Sequence, residues 1–259
     1  MSGPLEGLRL EDVPLLVVYA FTTLGFLLLY FGVGGLARLL VTRVLPARGL
    51  GRPLSDRALA PGQIAREVRH SVLSIAIFGG YGVLTAVGVR AGWWAVAPWR
   101  PPLALALEVA FLVVWNDVHF YAVHRLLHTR WLFQRVHREH HRALRPTAFS
   151  TYAMHPVEAV LLGSVMVCVQ PFHAFALPTL LLFPLVSIVL NNIGHSGYDL
   201  APGASDWSPL AGAVRHERHH RLVGGNYGFL FPALDRWLGT ELREAPATVT
   251  PAAAAPPAR

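Results

Sequence analysis

The chain has 259 residues, 53% of them hydrophobic and only 14% charged, against about 25% charged in an ordinary soluble domain; with a mean hydropathy of +0.42, an ordinary soluble globule is excluded. A single cysteine, Cys168, leaves no disulfide framework and no thiolate metal site, whereas 13 histidines stand beside 15 acids, so any metal chemistry is nitrogen chemistry. The net charge of +7 suggests nucleic acid at first sight, but all 22 basic residues are arginine, and their placement answers to a membrane.

Residues 13–37 are almost wholly apolar and uncharged. As a helix this stretch exceeds the roughly 20 residues needed to cross a bilayer and is predicted as the first membrane span. A signal peptide is the alternative, against which stand the acidic start MSGPLEGLRLEDVP and the lack of a small-residue cleavage site after a short apolar core. Residues 72–89 are a second uncharged run, and 103–115 a third whose only charge is Glu108; buried soluble helices are the alternative for these shorter runs. The block 157–193 is too long for one span and is broken by Pro171, His173 and Pro178, so it is predicted as a helical hairpin. From Ala245 the tail has four prolines and no aromatic residue and is expected to be disordered.

Arginine supplies the orientation. Arg38, Arg43, Arg48, Arg52, Arg57, Arg66 and Arg69 lie between the first two spans, whereas only Arg9 precedes the first, among three acids. The positive-inside rule then makes that loop cytoplasmic and the N-terminus external. Residues 117–156 and everything after Asn192 fall on the cytoplasmic side, and twelve of the 13 histidines gather there. His173, at the opposite end of the hairpin, reads as an ordinary interfacial residue. Basic charge beside membrane helices suits insertion and anionic headgroups, so no nucleic-acid partner is expected.

Six histidines fall between Asp117 and Leu144. His124 and His128 (HRLLH) are four apart, and His137, His140 and His141 (HREHH) are spaced by three and four. Positions i, i+3 and i+4 share a helix face, so each cluster is expected to aim its rings at one point. A second HxxHH follows at His216, His219 and His220, and Asn191 stands four residues before His195 in NNIGH. Eight or nine imidazoles plus an amide exceed what one ion coordinates, which implies two metals. Isolated histidines are commonly interfacial polar residues; His70 and His119 keep that reading, and His119 would lie about 140° from His124 on a helix. A protonation-driven pH sensor is the other alternative, but it has no need of the same triplet twice.

The segments DVHFYAVHRLLH, VHREHH, PTAFSTYAMHPVE, NNIGHSGYDL and RHERHHRLVGGNYGFLFPALDRWLGT, spread over about residues 108–242, resemble the fatty acid hydroxylase/sterol desaturase superfamily of integral-membrane di-iron enzymes. The resemblance implies an all-α fold: a bundle of about four transmembrane helices with a cytosolic helical cap holding a histidine-rich dimetal site. It divides the chain into 1–70, an N-terminal membrane helix and basic loop; 71–244, the membrane-embedded catalytic domain; and 245–259, the tail. It implies that His124 and His128, then His137, His140 and His141, then His195, and finally His216, His219 and His220 are the catalytic metal ligands. Asn191 stands where many members have histidine and joins the set as a weaker ligand. His155, in MHPVE, matches a position common in the sterol-modifying branch and is expected to line the pocket or support a ligand. Asp117, Glu158, Asp199 and Asp235 lie within or beside the boxes and would accept the second ring N–H of ligand histidines, or else pair with neighbouring arginines.

Two iron ions with O2 as co-substrate are implied, for hydroxylation or desaturation of an unactivated C–H bond of a lipid such as a fatty acyl chain, sterol or isoprenoid. HPVE and HSGYD resemble sterol-modifying members more than sphingolipid hydroxylases. With 259 residues taken up by anchor and cap, electrons are expected from an external ferredoxin, cytochrome b5-like protein or reductase. A non-catalytic metal-binding or transport protein is the alternative from another class, but its ligands would line a path through the bilayer. A zinc hydrolase is a further one, in which nine ligands leave poor access for a metal-bound water.

Overall fold

The computed structural model describes residues 12–97, 99–143 and 145–242; the tail expected to be disordered lies outside them. Four of its helices are long and apolar enough to cross a membrane: α1 (Leu15–Ala47), α2 (Gln63–Arg90), α3 (Pro102–Leu127) and α6 (Leu177–His195). Shorter helices complete the chain: α4 (Arg130–Arg135), α5 (Pro156–Gly163), α7 (Gly212–Leu222) and α8 (Ala233–Trp237). The protein is a helical membrane protein, and its only strands among the described residues are two-residue partners that pair Arg52 with Asp199.

Chain chemistry sets the helix starts. Pro102 opens α3 and Pro178 lies in the first turn of α6, where the missing N–H costs nothing and the fixed φ is already helical. The α1 and α2 axes approach closely because Gly79 leaves no room for a Cβ beside Thr23, and the Thr22 hydroxyl donates to the Gly79 carbonyl at 3.2 Å, a small-residue contact suited to membrane helices. Tyr30, Ile75, Tyr152, Met154, Ala159 and Ile188 form the main buried cluster. On the outside, Leu103, Leu107, Phe111, Val114 and Val118 make one exposed apolar stripe along α3, the face a lipid-surrounded helix presents.

Two predicted spans are corrected. The third run, expected over 103–115, continues as helix to Leu127: Asp117 and His119, which read as its polar end, are buried inside the bundle. The first limb of the hairpin is helical only over Pro156–Gly163 and then passes through turns. Non-helical backbone at membrane depth has to be satisfied by protein. The Trp115 indole N–H donates to the Val165 carbonyl at 2.8 Å, and the Ser164 hydroxyl meets the His119 ring at 3.1 Å.

The limb still traverses the bundle. It starts among the histidines and ends where the Ala97 N–H donates to the Phe175 carbonyl. There Glu108 of α3 accepts from the Thr179 hydroxyl at 2.6 Å and the Ala176 N–H at 3.1 Å, and pairs with Arg100 and His173. One end of the bundle is thus fastened by this carboxylate, and the opposite end carries the histidine clusters.

Candidate metal centre

Nine histidines meet at that opposite end. His124 sits in the last turn of α3 and His128 just past it; His137, His140 and His141 occupy the 3-10 turn His137–Arg142; His195 ends α6; and α7 carries His216, His219 and His220. They form two groups: His124, His128, His137, His141 and His219 in one, His140, His195, His216 and His220 in the other, with the ligand atoms of each group within 4.8 Å of one another. The expectation that each box aims at a single point is corrected. In both HxxHH boxes the i, i+4 pair stays together while the i+3 ring joins the other group, so the first box contributes two rings and one, and the second contributes one and two.

Hydrogen bonds fix the ring orientation. The Nδ1–H of His124 donates to the Tyr227 carbonyl at 2.9 Å, that of His219 to the Gly225 carbonyl at 2.6 Å, and that of His195 to the Asn191 carbonyl at 3.0 Å. His128 leans in the same way on the Val223 backbone, and Nδ1 of His137 lies 2.8 Å from Glu158. A carbonyl only accepts, so the inward Nε2 of His124, His195 and His219 carries a lone pair.

These nitrogens crowd one another: Nε2 atoms lie 3.1 Å apart for His124 and His137 and for His141 and His219, and 3.0 Å apart for His216 with both His195 and His220. Buried lone pairs that converge want a cation, and two nitrogens on metal bonds of about 2.1 Å at a right angle would lie about 3.0 Å apart. The buried Nε2 of His128 has no partner among the described residues. The residues fit a metal site on geometry and on donor type, since neutral imidazole suits transition metals.

The electrostatics agree. Burial pushes His128 and His137 down to about 3 and His140 to about 4, the last against the pull of Glu158. Burial, followed by neighbouring rings, also lowers His141, His216 and His220, and burial lowers His219 as well. All stay neutral and able to coordinate at physiological pH. His128 is the ring of the five-membered group that borders an open cavity of about 360 Å³, lined also by Phe133, Gln134, Leu222, Val223 and Tyr227.

Other expected site residues are placed elsewhere. The Asn191 side chain donates to the Ser187 carbonyl at 2.9 Å, and it is the main-chain carbonyl of Asn191 that meets His195. His155 caps α5, its Nδ1 accepting from the Val157 N–H at 3.2 Å. Of the four carboxylates expected behind ligand rings, Glu158 alone touches one. Asp199 pairs with Arg52, Asp117 accepts from the Leu230 N–H, and Asp235 holds the N–H groups of Tyr227 and Gly228. Sequence reasoning missed the carbonyls of Val223, Gly225 and Tyr227. The GGNYG stretch directly after HERHH was the available signal, because glycines mark tight backbone approach.

Comparison with known proteins follows the same residues. The fatty acid hydroxylase family matches residues 109–240. A methylsterol monooxygenase 2-2 from Arabidopsis thaliana is 30% identical over 62% of this chain and 60% of its own length. A very-long-chain aldehyde decarbonylase GL1-8 from Oryza sativa subsp. indica is 35% identical over 52% of each chain, and a methylsterol monooxygenase 1 from Rattus norvegicus 28% identical over 64% of this chain and 56% of its own. The chain spans between half and two thirds of the length of these relatives. No solved structure matches it.

Proposed function

The chain belongs to the fatty acid hydroxylase family, and on that premise we propose that it is a membrane oxidoreductase holding two iron ions, one in each histidine group, and using O2 to hydroxylate or desaturate an unactivated C–H bond of a lipid. The observation that carries this reading is the convergence of nine imidazoles into two adjoining groups, with the outward nitrogens of His124, His195 and His219 held on main-chain carbonyls. A bound iron pair supplies the electrons that activate O2 for attack on such a bond.

The chain's own part is to hold, orient and exclude. Seven of the nine rings are buried, which keeps bulk water from the reacting carbon. The helices that carry His124 and His195 are apolar over most of their length, so a fatty acyl chain, sterol or isoprenoid dissolved in the bilayer meets the site from the membrane side. Seven arginines cluster from the end of α1 (Arg38, Arg43) through the connection (Arg48, Arg52, Arg57) to the start of α2 (Arg66, Arg69), toward the histidine end, where Glu67 of α2 accepts from Thr147 and His70 faces Glu139. By the positive-inside rule the histidine end is cytoplasmic and the N-terminus external, within reach of an external ferredoxin, cytochrome b5-like protein or reductase. A metal-transport role would need ligands spread across the bilayer, whereas all nine rings sit at one end.

Protein purified in detergent is expected to hold about two iron atoms per chain. Lipid extracts of cells expressing it under 18O2 are expected to show one species gaining labelled oxygen or losing two hydrogens, absent with His140→Ala. A very-long-chain aldehyde belongs among the substrates offered, given the name of the rice relative. Fully active metal-free protein, or unchanged lipids and aldehydes alongside a loaded site, would overturn the reading.

A further inference from the structure

The segment after α7 is built to present its carbonyls. Val223, in the left-handed region at φ +64, where a β-branched residue is strained, ends the helix directly after the last histidine box. The chain then offers alternate carbonyls, those of Val223, Gly225 and Tyr227, to His128, His219 and His124 in turn. All three rings belong to the five-histidine group.

What aims these carbonyls lies further along the chain. The buried Asp235 carboxylate accepts the Tyr227 N–H at 2.8 Å, the Gly228 N–H at 2.7 Å and the Thr240 hydroxyl at 2.7 Å. Thr240 in turn accepts the Asn226 N–H at 2.9 Å on its carbonyl. Two peptides of the segment, 225–226 and 227–228, are therefore gripped on the N–H side by the 235–240 stretch and deliver their carbonyls to His219 and His124 on the other. A Cβ at Gly225 would run into the Thr240 carbonyl, so the approach depends on that glycine.

We propose that Asp235, which touches no histidine, is a positioning residue for the five-histidine centre. It acts on His124 through the Tyr227–Gly228 peptide, and on His219 through Thr240, whose hydroxyl it holds and whose carbonyl holds the Gly225–Asn226 peptide, and so fixes which nitrogen of each ring is free to bind metal. The proposal rests on the nine histidines being metal ligands. In the four-histidine centre His195 is instead oriented by its own helix at Asn191.

The test uses the full chain in detergent, loaded with 57Fe, with Mössbauer spectra and iron loss to a chelator as readouts and helical circular dichroism as the fold control. Folded Asp235→Ala is expected to change one of two iron signals and to weaken that iron by roughly 10- to 100-fold, the effect usual for a lost outer partner. The altered signal should be the one that survives in His220→Ala, which damages the other group. Asp235→Asn, keeping one carbonyl acceptor, should fall between, and it and Thr240→Val carry the test if the alanine variant does not fold. Unchanged spectra and chelation in these variants, or equal change at both irons, would overturn the proposal while leaving the metal reading intact. Wild-type protein that takes up no metal overturns both.

Discussion

The two histidine groups use the same ring but are held by different means. In the five-membered group the outward nitrogens of His124, His128 and His219 rest on one loop, and His137 rests on Glu158, so its support is drawn from α5 and from the chain after α7. In the four-membered group His195 rests on the preceding turn of its own helix, while the Nδ1 atoms of His140 and His220, like that of His141 in the first group, are buried with no partner among the described residues. The outer supports of the first centre are thus tertiary, and the one found in the second is local to a helix. Outer partners fix tautomer and ring direction, so damage at a distance should reach the first centre and spare the second.

The largest test of that difference lies in two adjacent residues. His219→Ala and His220→Ala should each lower activity by more than about 100-fold, beyond the range typical of outer partners. Each should leave a different iron behind, read by Mössbauer spectroscopy; the same residual signal from both would erase the distinction between the groups. An intermediate effect is expected for Glu158→Ala: roughly 10- to 100-fold weaker iron at the five-histidine centre, with Glu158→Gln recovering much of it because the amide oxygen still accepts from His137. Competition with a chelator measures both. The smallest is at His155, whose contact with Val157 is a helix cap. His155→Ala should cost about 1 kcal/mol of stability in a denaturant melt and leave both irons untouched, and loss of iron there would reinstate it as part of the centre.

Much of this was legible in the sequence. Apolar runs announce membrane helices because a bilayer demands length and apolarity together, and the histidine spacings mark the rings. The division into two groups was not legible, because a triplet's periodicity describes one helix, whereas the partition of His140 from His141 depends on which elements face them. Nor was the true end of α3: Asp117 and His119 are polar yet buried, so composition misplaces the boundary. A carboxylate near a histidine box invites the reading that Asp235 touches a ring. Its actual partners are peptide N–H groups, and the carbonyls it directs leave no trace in side-chain identity.

The exchange of rings between boxes has a thermodynamic side. His140 and His141, like His219 and His220, are consecutive residues assigned to different groups, with Cα atoms about 3.8 Å apart across a single peptide unit. On the proposed two-iron reading, an ion in one group would hold backbone that also presents a ring to the other, so part of the ordering entropy would be common to both binding events.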